Sequence, residues 1–180
     1  MISAYYTVPD VLTPTECDEI INYCADKCKP SSVLDGYKPK VRNSVNTFFA
    51  PNELSVTKKI LDCVVKVGHE IFNFPLLNVE PIQYAEYTNG MYYDSHIDSG
   101  ETLELDRDIS ASVFLTPRDQ YDGGNLSFLY SSGWVDVNEQ QGSIVVFSSM
   151  LTHKVNKVKK GKRSSLVLWC KRPDLPVKRV

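Results

Sequence analysis

The chain has 180 residues, 42% hydrophobic and 23% charged, a balance that fits one soluble globular domain and excludes a disordered or collagen-like polymer. Its formal charge of −2 at pH 7 offers phosphate no global attraction, so no nucleic-acid partner is expected. No stretch approaches the roughly 20 apolar residues of a membrane span, and the N-terminus lacks a basic region followed by an apolar one. Five cysteines without paired spacing suit a reducing compartment, and the expectation is a cytoplasmic protein.

Thr13-Pro14-Thr15-Glu16 supplies a capping hydroxyl, a proline at the first helical position and a glutamate three residues after the cap, which predicts a helix to about Cys28. Cys17, Cys24 and Cys28 fall near one face of it. They read as a metal cluster or as small buried apolar groups, and with no fourth ligand nearby the second reading is preferred. A second helix is expected from about Ser55 to Phe72, where Ile60, Leu61, Val64, Val65 and Ile71 recur at helical spacing, with His69 as a partly exposed residue within it. Between them, Ser31 to Ser44 reads as a long loop rich in Ser, Pro, Gly and Lys. Such loops often act as lids, and Tyr37, Lys38, Lys40 and Arg42 would suit an extended peptide or a ligand with an acidic group. The basic pairs Lys171-Arg172 and Lys178-Arg179 read as a solvated end.

After Pro75 the chain changes to β-type runs separated by turn residues: Val79–Tyr87, Tyr92–Ile97, Ile109–Thr116, Asn125–Tyr130, Trp134–Val137, Ser143–Ser148, His153–Val158 and Ser164–Cys170. Gly123-Gly124 reads as a structural turn. The expected fold is mainly β with flanking helices (α+β), a sandwich or barrel-like core with two helices outside it. One domain spans residues 1–180, with helical support and the loop in 1–75 and the β core in 76–172.

Of three histidines, two bracket the β region. His96-Ile97-Asp98 ends a predicted strand, where side chains two apart share a face and can hold one ion. His153 opens a later strand. Two histidines and one carboxylate leave about half an octahedron open, as in non-haem iron(II) oxygenases, and the same set suits a zinc hydrolase. Arg163 opens the last predicted strand. If the His153 and Arg163 strands are antiparallel neighbours joined through Lys159-Lys160-Gly161-Lys162, an inward guanidinium lies just beyond the metal and can pair bidentately with a carboxylate.

Tyr87-Thr88-Asn89-Gly90-Met91-Tyr92-Tyr93-Asp94-Ser95-His96-Ile97-Asp98, Arg107-Asp108-Ile109-Ser110, Tyr121-Asp122-Gly123-Gly124-Asn125-Leu126, and His153 with Arg163 and Trp169 together resemble the iron(II) and 2-oxoglutarate dependent oxygenases. The likeness is to the prolyl 4-hydroxylase-like branch related to the PKHD-type hydroxylases, over about Val79 to Arg172. It implies a double-stranded β-helix (jelly-roll) with iron at its mouth, held by His96, Asp98 and His153. It also implies 2-oxoglutarate and dioxygen as cosubstrates, ascorbate as an accepted reductant, and release of succinate and carbon dioxide. Arg163 takes the place of the family's basic residue for the distal carboxylate, Tyr87 matches a cosubstrate-contacting tyrosine, and Trp169 matches a tryptophan that lines the pocket. Where some relatives carry a tyrosine after Arg107, this chain has Phe114. Asp98 favours hydroxylation over halogenation.

The resemblance implies hydroxylation of an unactivated C–H, with a prolyl peptide or protein as the first substrate class and a free amino acid or other small molecule as the second. The rivals are a zinc hydrolase, for which no His-Glu-x-x-His helix is present, and a β-barrel binding module without turnover.

Overall fold

The Glu16 backbone N–H donates to the Thr13 hydroxyl, and the Glu16 carboxylate accepts from the Thr13 backbone N–H at 2.9 Å, so the capping box starts helix α1 (Pro14–Cys24) where the sequence placed it. The computed structural model describes residues 5–31, 40–74, 78–99, 106–138 and 140–172. Helix α1 stops before Cys28, and one 3-10 turn, Ala25–Lys27, finishes the segment. Helix α2 runs Thr57–Glu70 with His69 exposed.

The described strands are β1 (Tyr5–Val8), β2 (Lys29–Pro30), β3 (Arg42–Asn43), β4 (Val45–Phe49), β5 (Asn78–Val79), β6 (Ile82–Tyr87), β7 (Tyr92–His96), β8 (Ile109–Phe114), β9 (Tyr121–Gly123), β10 (Leu126–Tyr130), β11 (Gly133–Asp136), β12 (Ile144–Ser148), β13 (His153–Val155), β14 (Val158–Gly161) and β15 (Arg163–Lys171). A major sheet has the order β1-β12-β8-β15-β6-β4-β2, with β5 also on β15. A minor sheet has the order β11-β10-β13-β7-β3, and β14 pairs with β9. All pairings among the described residues are antiparallel, as a jelly-roll requires.

Alternation along the major strands decides what each face does. Leu166, Leu168 and Cys170 of β15 join Ile109, Ala111 and Val113 of β8 and Ile82 and Tyr84 of β6 in the core cluster that also holds Ile20 of α1 and Ile60 and Val64 of α2. The helices therefore cover the outer face of the major sheet. Cys17 and Cys24 belong to this cluster, where burial pushes their thiols up to about 11 and about 12, so they are neutral packing groups. The intervening residues Arg163, Ser165, Val167 and Trp169 line a pocket with His96 and His153 of the other sheet and Asp98 just beyond β7.

Several expectations need correction. Strands β13 and β15 are not neighbours: His153 lies in the minor sheet and Arg163 in the major one. The lysine-rich connection is itself a strand, β14, paired with β9, and carries the chain from one sheet to the other. The expected Val79–Tyr87 run is broken into β5 and β6. Finally, β1 and β4 add strands to the major sheet ahead of Pro75, so the N-terminal part is more than helical support. Residues 32–39 of the expected lid, including Tyr37 and Lys38, lie outside the described residues, as do Lys178 and Arg179.

The two glycines after β9 begins do the structural work expected of a turn. Both have positive φ, and a Cβ on Gly123 would meet the Lys157 carbonyl oxygen at 2.2 Å.

Candidate active site

Strands β7 and β13 place His96 and His153 directly opposite each other, with ring centroids 4.2 Å apart. Each ring is fixed by its own strand. Nδ1 of His96 lies 2.8 Å from the Asp94 carbonyl and Nδ1 of His153 lies 2.9 Å from the Leu151 carbonyl, so both Nδ1 atoms carry the proton. Both Nε2 lone pairs are thereby directed at Asp98, whose oxygens stand 3.6 Å from His96 Nε2 and 3.5 Å from His153 Nε2. One ligand atom from each residue lies within 4.8 Å of the others, a spacing that a single ion can bridge.

The electrostatics suit a cation. Burial, together with His153 beside it, pushes His96 down to about 3 against the pull of Asp98, so the imidazole is neutral and available as a ligand. Burial alone would raise Asp98, but His153, His96 and the Ser110 hydroxyl outweigh it and hold the carboxyl below its usual range. The Asp98 backbone N–H donates to the Ser149 carbonyl, and Ser110 Oγ also lies 2.9 Å from Ser149 Oγ. Arg107 holds the other side: it clasps Glu80 with Nε and Nη2 at 2.7 and 2.6 Å, lies 4.0 Å over the Trp169 ring and donates to the Asp98 carbonyl at 3.4 Å. Ser110 and Arg107 stand in a motif already singled out in the sequence, but their attachment to Asp98 needed the fold. Inward alternation along β8 is the available signal for Ser110.

Arg163 is 2% exposed and is no surface charge. Its Nη1 donates to Ser165 Oγ at 3.0 Å, and its guanidinium lies 5.7 Å from the Tyr87 ring and 5.6 Å from the Phe114 ring. Tyr87 is its directly opposite partner on β6. Lys162, by contrast, is half exposed and ion-pairs with Glu86 at 3.2 Å. Phe114 faces Arg163 without a hydroxyl, as its identity requires.

The three triad residues, Arg163, Tyr87 and Trp169 line one pocket. Two polar groups there lack partners among the described residues. The Trp169 indole N–H is buried with no hydrogen bond of ordinary geometry, although it lies close enough to Asp98 to help lower that carboxyl. The Tyr87 hydroxyl also makes no hydrogen bond among the described residues, though the side chain is 2% exposed. The Trp169 N–H and the Tyr87 hydroxyl, in a pocket that Arg163 also lines, fit an oxygen-rich anion, and two imidazoles with a carboxylate fit a divalent metal. Tyr93 stacks on His96 with centroids 3.6 Å apart, and Arg42 reaches the pocket from β3. In the sequence Arg42 is one of four loop residues suited to a peptide or an acidic ligand, with nothing to place it in this pocket.

A two-sheet antiparallel fold with a His-Asp-His cluster between its sheets and a buried arginine in the same pocket defines a metal-site class of β protein. Residues 82–171, half of the chain, match the 2OG-Fe(II) oxygenase superfamily, and the protein belongs to that family. It is thus a 2-oxoglutarate-dependent dioxygenase, for which the family implies iron(II), 2-oxoglutarate and dioxygen. A PKHD-type hydroxylase of Gluconobacter oxydans is 26% identical over 175 residues, covering 90% of this chain and 75% of that one. One from Teredinibacter turnerae is 33% identical over 114 residues, 59% of this chain and 50% of that one. Among solved structures, the viral collagen prolyl hydroxylase of Paramecium Bursaria Chlorella virus-1 in its 2OG complex superposes with a TM-score of 0.75 at 24% identity, covering 95% of this chain and 97% of that one. A Pseudomonas putida prolyl-4-hydroxylase gives 0.76 at 21%, covering 94% and 93%. These structures share the fold.

Proposed function

We propose that His96 and His153, through Nε2, and Asp98, through a carboxylate oxygen, hold iron(II), and that Arg163 with Tyr87 holds the distal carboxylate of 2-oxoglutarate while Trp169 lines the pocket. The carrying observation is the convergence of three ligand atoms within 4.8 Å in the pocket that Arg163 lines. When bound, iron(II) with 2-oxoglutarate and dioxygen supplies the oxidation, one oxygen atom leaving in succinate and the other entering a substrate C–H bond. The protein's part is positional. The Nδ1 protons keep both imidazoles oriented, Ser110 and Arg107 fix Asp98, and the Arg163 cation offsets a carboxylate away from bulk water. As a ligand Asp98 would leave no vacancy of the kind a halide needs, which favours hydroxylation.

A prolyl peptide or protein is the substrate class supported by the likeness to the viral collagen prolyl hydroxylase and the Pseudomonas putida prolyl-4-hydroxylase, with a free amino acid or other small molecule as the second class. The iron-loaded protein should add one oxygen atom to members of a proline-rich peptide library with stoichiometric succinate release. Metal-bound protein that never consumes dioxygen or 2-oxoglutarate, with or without such peptides, would point instead to a hydrolase or a binding module.

A further inference from the structure

Arg42 opens β3, is 5% exposed and lines the same pocket as the triad. Its Nε donates to Ser44 Oγ at 3.0 Å and its Nη2 to Gln83 Oε1 at 2.8 Å, while its guanidinium lies 4.6 Å from the Tyr93 ring, itself stacked on His96. Both hydrogen-bond partners are neutral. Arg107 has Glu80 at 2.6 Å and Arg172 has Asp108 at 2.9 Å, while the less buried Arg118 bonds the Tyr121 carbonyl and the Asn125 amide oxygen. Arg42 has no ion pair among the described residues, and its Nη1 has no hydrogen-bond partner there. Taking a cation out of water without a counter-charge is costly, so a guanidinium held this way is suited to a charge that arrives later.

Its position separates it from Arg163. Gln83 and Tyr87 point to the same face of β6, four residues and so roughly 13 Å apart along the strand. Arg42 is bound at the Gln83 level and Arg163 stands opposite Tyr87. One pocket therefore contains two cations at different levels along β6. If Arg163 takes the cosubstrate's distal carboxylate, as proposed above, Arg42 is left for a second anion.

We propose that Arg42 is the receptor for a carboxylate carried by the substrate, held while the carbon to be oxidised lies near the metal ligands. Gln83 and Ser44 orient the fork, and Tyr93 keeps it over the His96 side of the pocket. Three sources share this chemistry: the α-carboxylate of a free amino acid, a peptide C-terminus, and an acidic side chain beside the reacting residue. A neutral interior peptide segment does not.

The test uses protein loaded with zinc(II) and N-oxalylglycine, inert stand-ins for iron and 2-oxoglutarate, and reads binding by calorimetry and saturation-transfer NMR. The probes are free L-proline, N-acetyl-Pro-Gly and N-acetyl-Pro-Glu with an amidated terminus, each beside its amide counterpart (prolinamide, N-acetyl-Pro-Gly-amide, N-acetyl-Pro-Gln-amide). At least one acid should bind about tenfold or more tighter than its amide, the difference expected for one charge-assisted hydrogen bond. The preference should vanish in Arg42→Gln and persist in part in Arg42→Lys, with N-oxalylglycine affinity equal in all three proteins. Which acid wins identifies the source. Equal binding of acids and amides, no binding of any acid, or an undiminished preference in Arg42→Gln overturns the assignment. Loss of N-oxalylglycine binding in Arg42→Gln would mark a misfolded variant, and the wild-type comparison would then decide. Failure of wild-type protein to bind zinc or N-oxalylglycine would defeat the functional reading itself, whereas intact binding without acid preference defeats only the role of Arg42.

Discussion

The Ser110 hydroxyl donates to Asp98 Oδ2 at 2.7 Å, joining a strand of the major sheet to the carboxylate that completes the cluster of the minor sheet. Ser110 is fully buried and has no access to the pocket's ligand positions except through Asp98. Replacing it with alanine should therefore weaken metal affinity by about 10–100-fold, the usual effect of removing a hydrogen bond that orients a ligand. Competitive chelator titration with fluorescence measures it, and unchanged affinity with intact near-UV circular dichroism would show that the Ser149 hydroxyl or the backbone alone orients Asp98.

Arg163→Ala should raise the 2-oxoglutarate concentration needed for half-maximal turnover steeply, because removing a charge-assisted hydrogen bond from a buried pocket costs about 2–5 kcal/mol. Arg163→Lys should keep part of the affinity by retaining the charge without the fork. Equilibrium binding of 2-oxoglutarate to the zinc-loaded variants separates binding from turnover. Lys162, on the surface with Glu86, should tolerate alanine with no change.

Gly124 reaches the same arginine from outside the pocket. A Cβ there would stand 3.2 Å from Arg163 Cδ and 2.9 Å from Val158 Cγ2, at a φ of +66° that L side chains rarely adopt. Gly124→Ala should lower both thermal stability, by about 1–3 kcal/mol, and 2-oxoglutarate affinity. Calorimetry with and without N-oxalylglycine reads both effects. A stability loss with wild-type analogue affinity would show that the Arg163 stem is not held by this turn.

In the metal-free protein His96 is depressed from 6.5 to about 3, chiefly by burial. The unfolded chain thus binds a proton that the folded chain refuses between these values. The contribution of this imidazole is fully present above about pH 6.5 and declines as pH falls toward 3, by up to about 1.4 kcal/mol per pH unit. Asp98, also lowered, adds to the loss only in more acidic solution, as pH falls through its depressed folded value. Urea denaturation should show the decline starting below pH 6.5, and His96→Gln should flatten it. Saturating zinc should preserve stability to lower pH, because a ligated imidazole cannot take the proton.

Much of this site is legible because strands of period two make residues two apart share a face: His96 with Asp98 and Arg163 with Trp169 follow from that rule once the strands are placed. The partnership of strands is not legible. Lys159 to Gly161 reads as a hairpin connection, yet pairs with Tyr121–Gly123, a long-range choice that no local pattern encodes. Tyr5–Val8 escapes a reading by pattern because four residues are too few to establish a period. Arg42 is half legible: the loop's composition marks it as suited to an acidic ligand, but its place in the pocket depends on Gln83, distant in sequence, being brought against it.

The facing of His96 and His153 across β7 and β13 has a consequence for how the chain folds. These strands lie far apart in sequence, and the register shifts again between His153 and Val155. A slip of one residue would turn one imidazole to the opposite face and leave the ion two ligands instead of three. Metal binding therefore distinguishes correctly zipped chains from slipped ones, and an ion added during refolding acts as a proofreader of strand alignment, drawing the population toward the aligned form by mass action without having nucleated it.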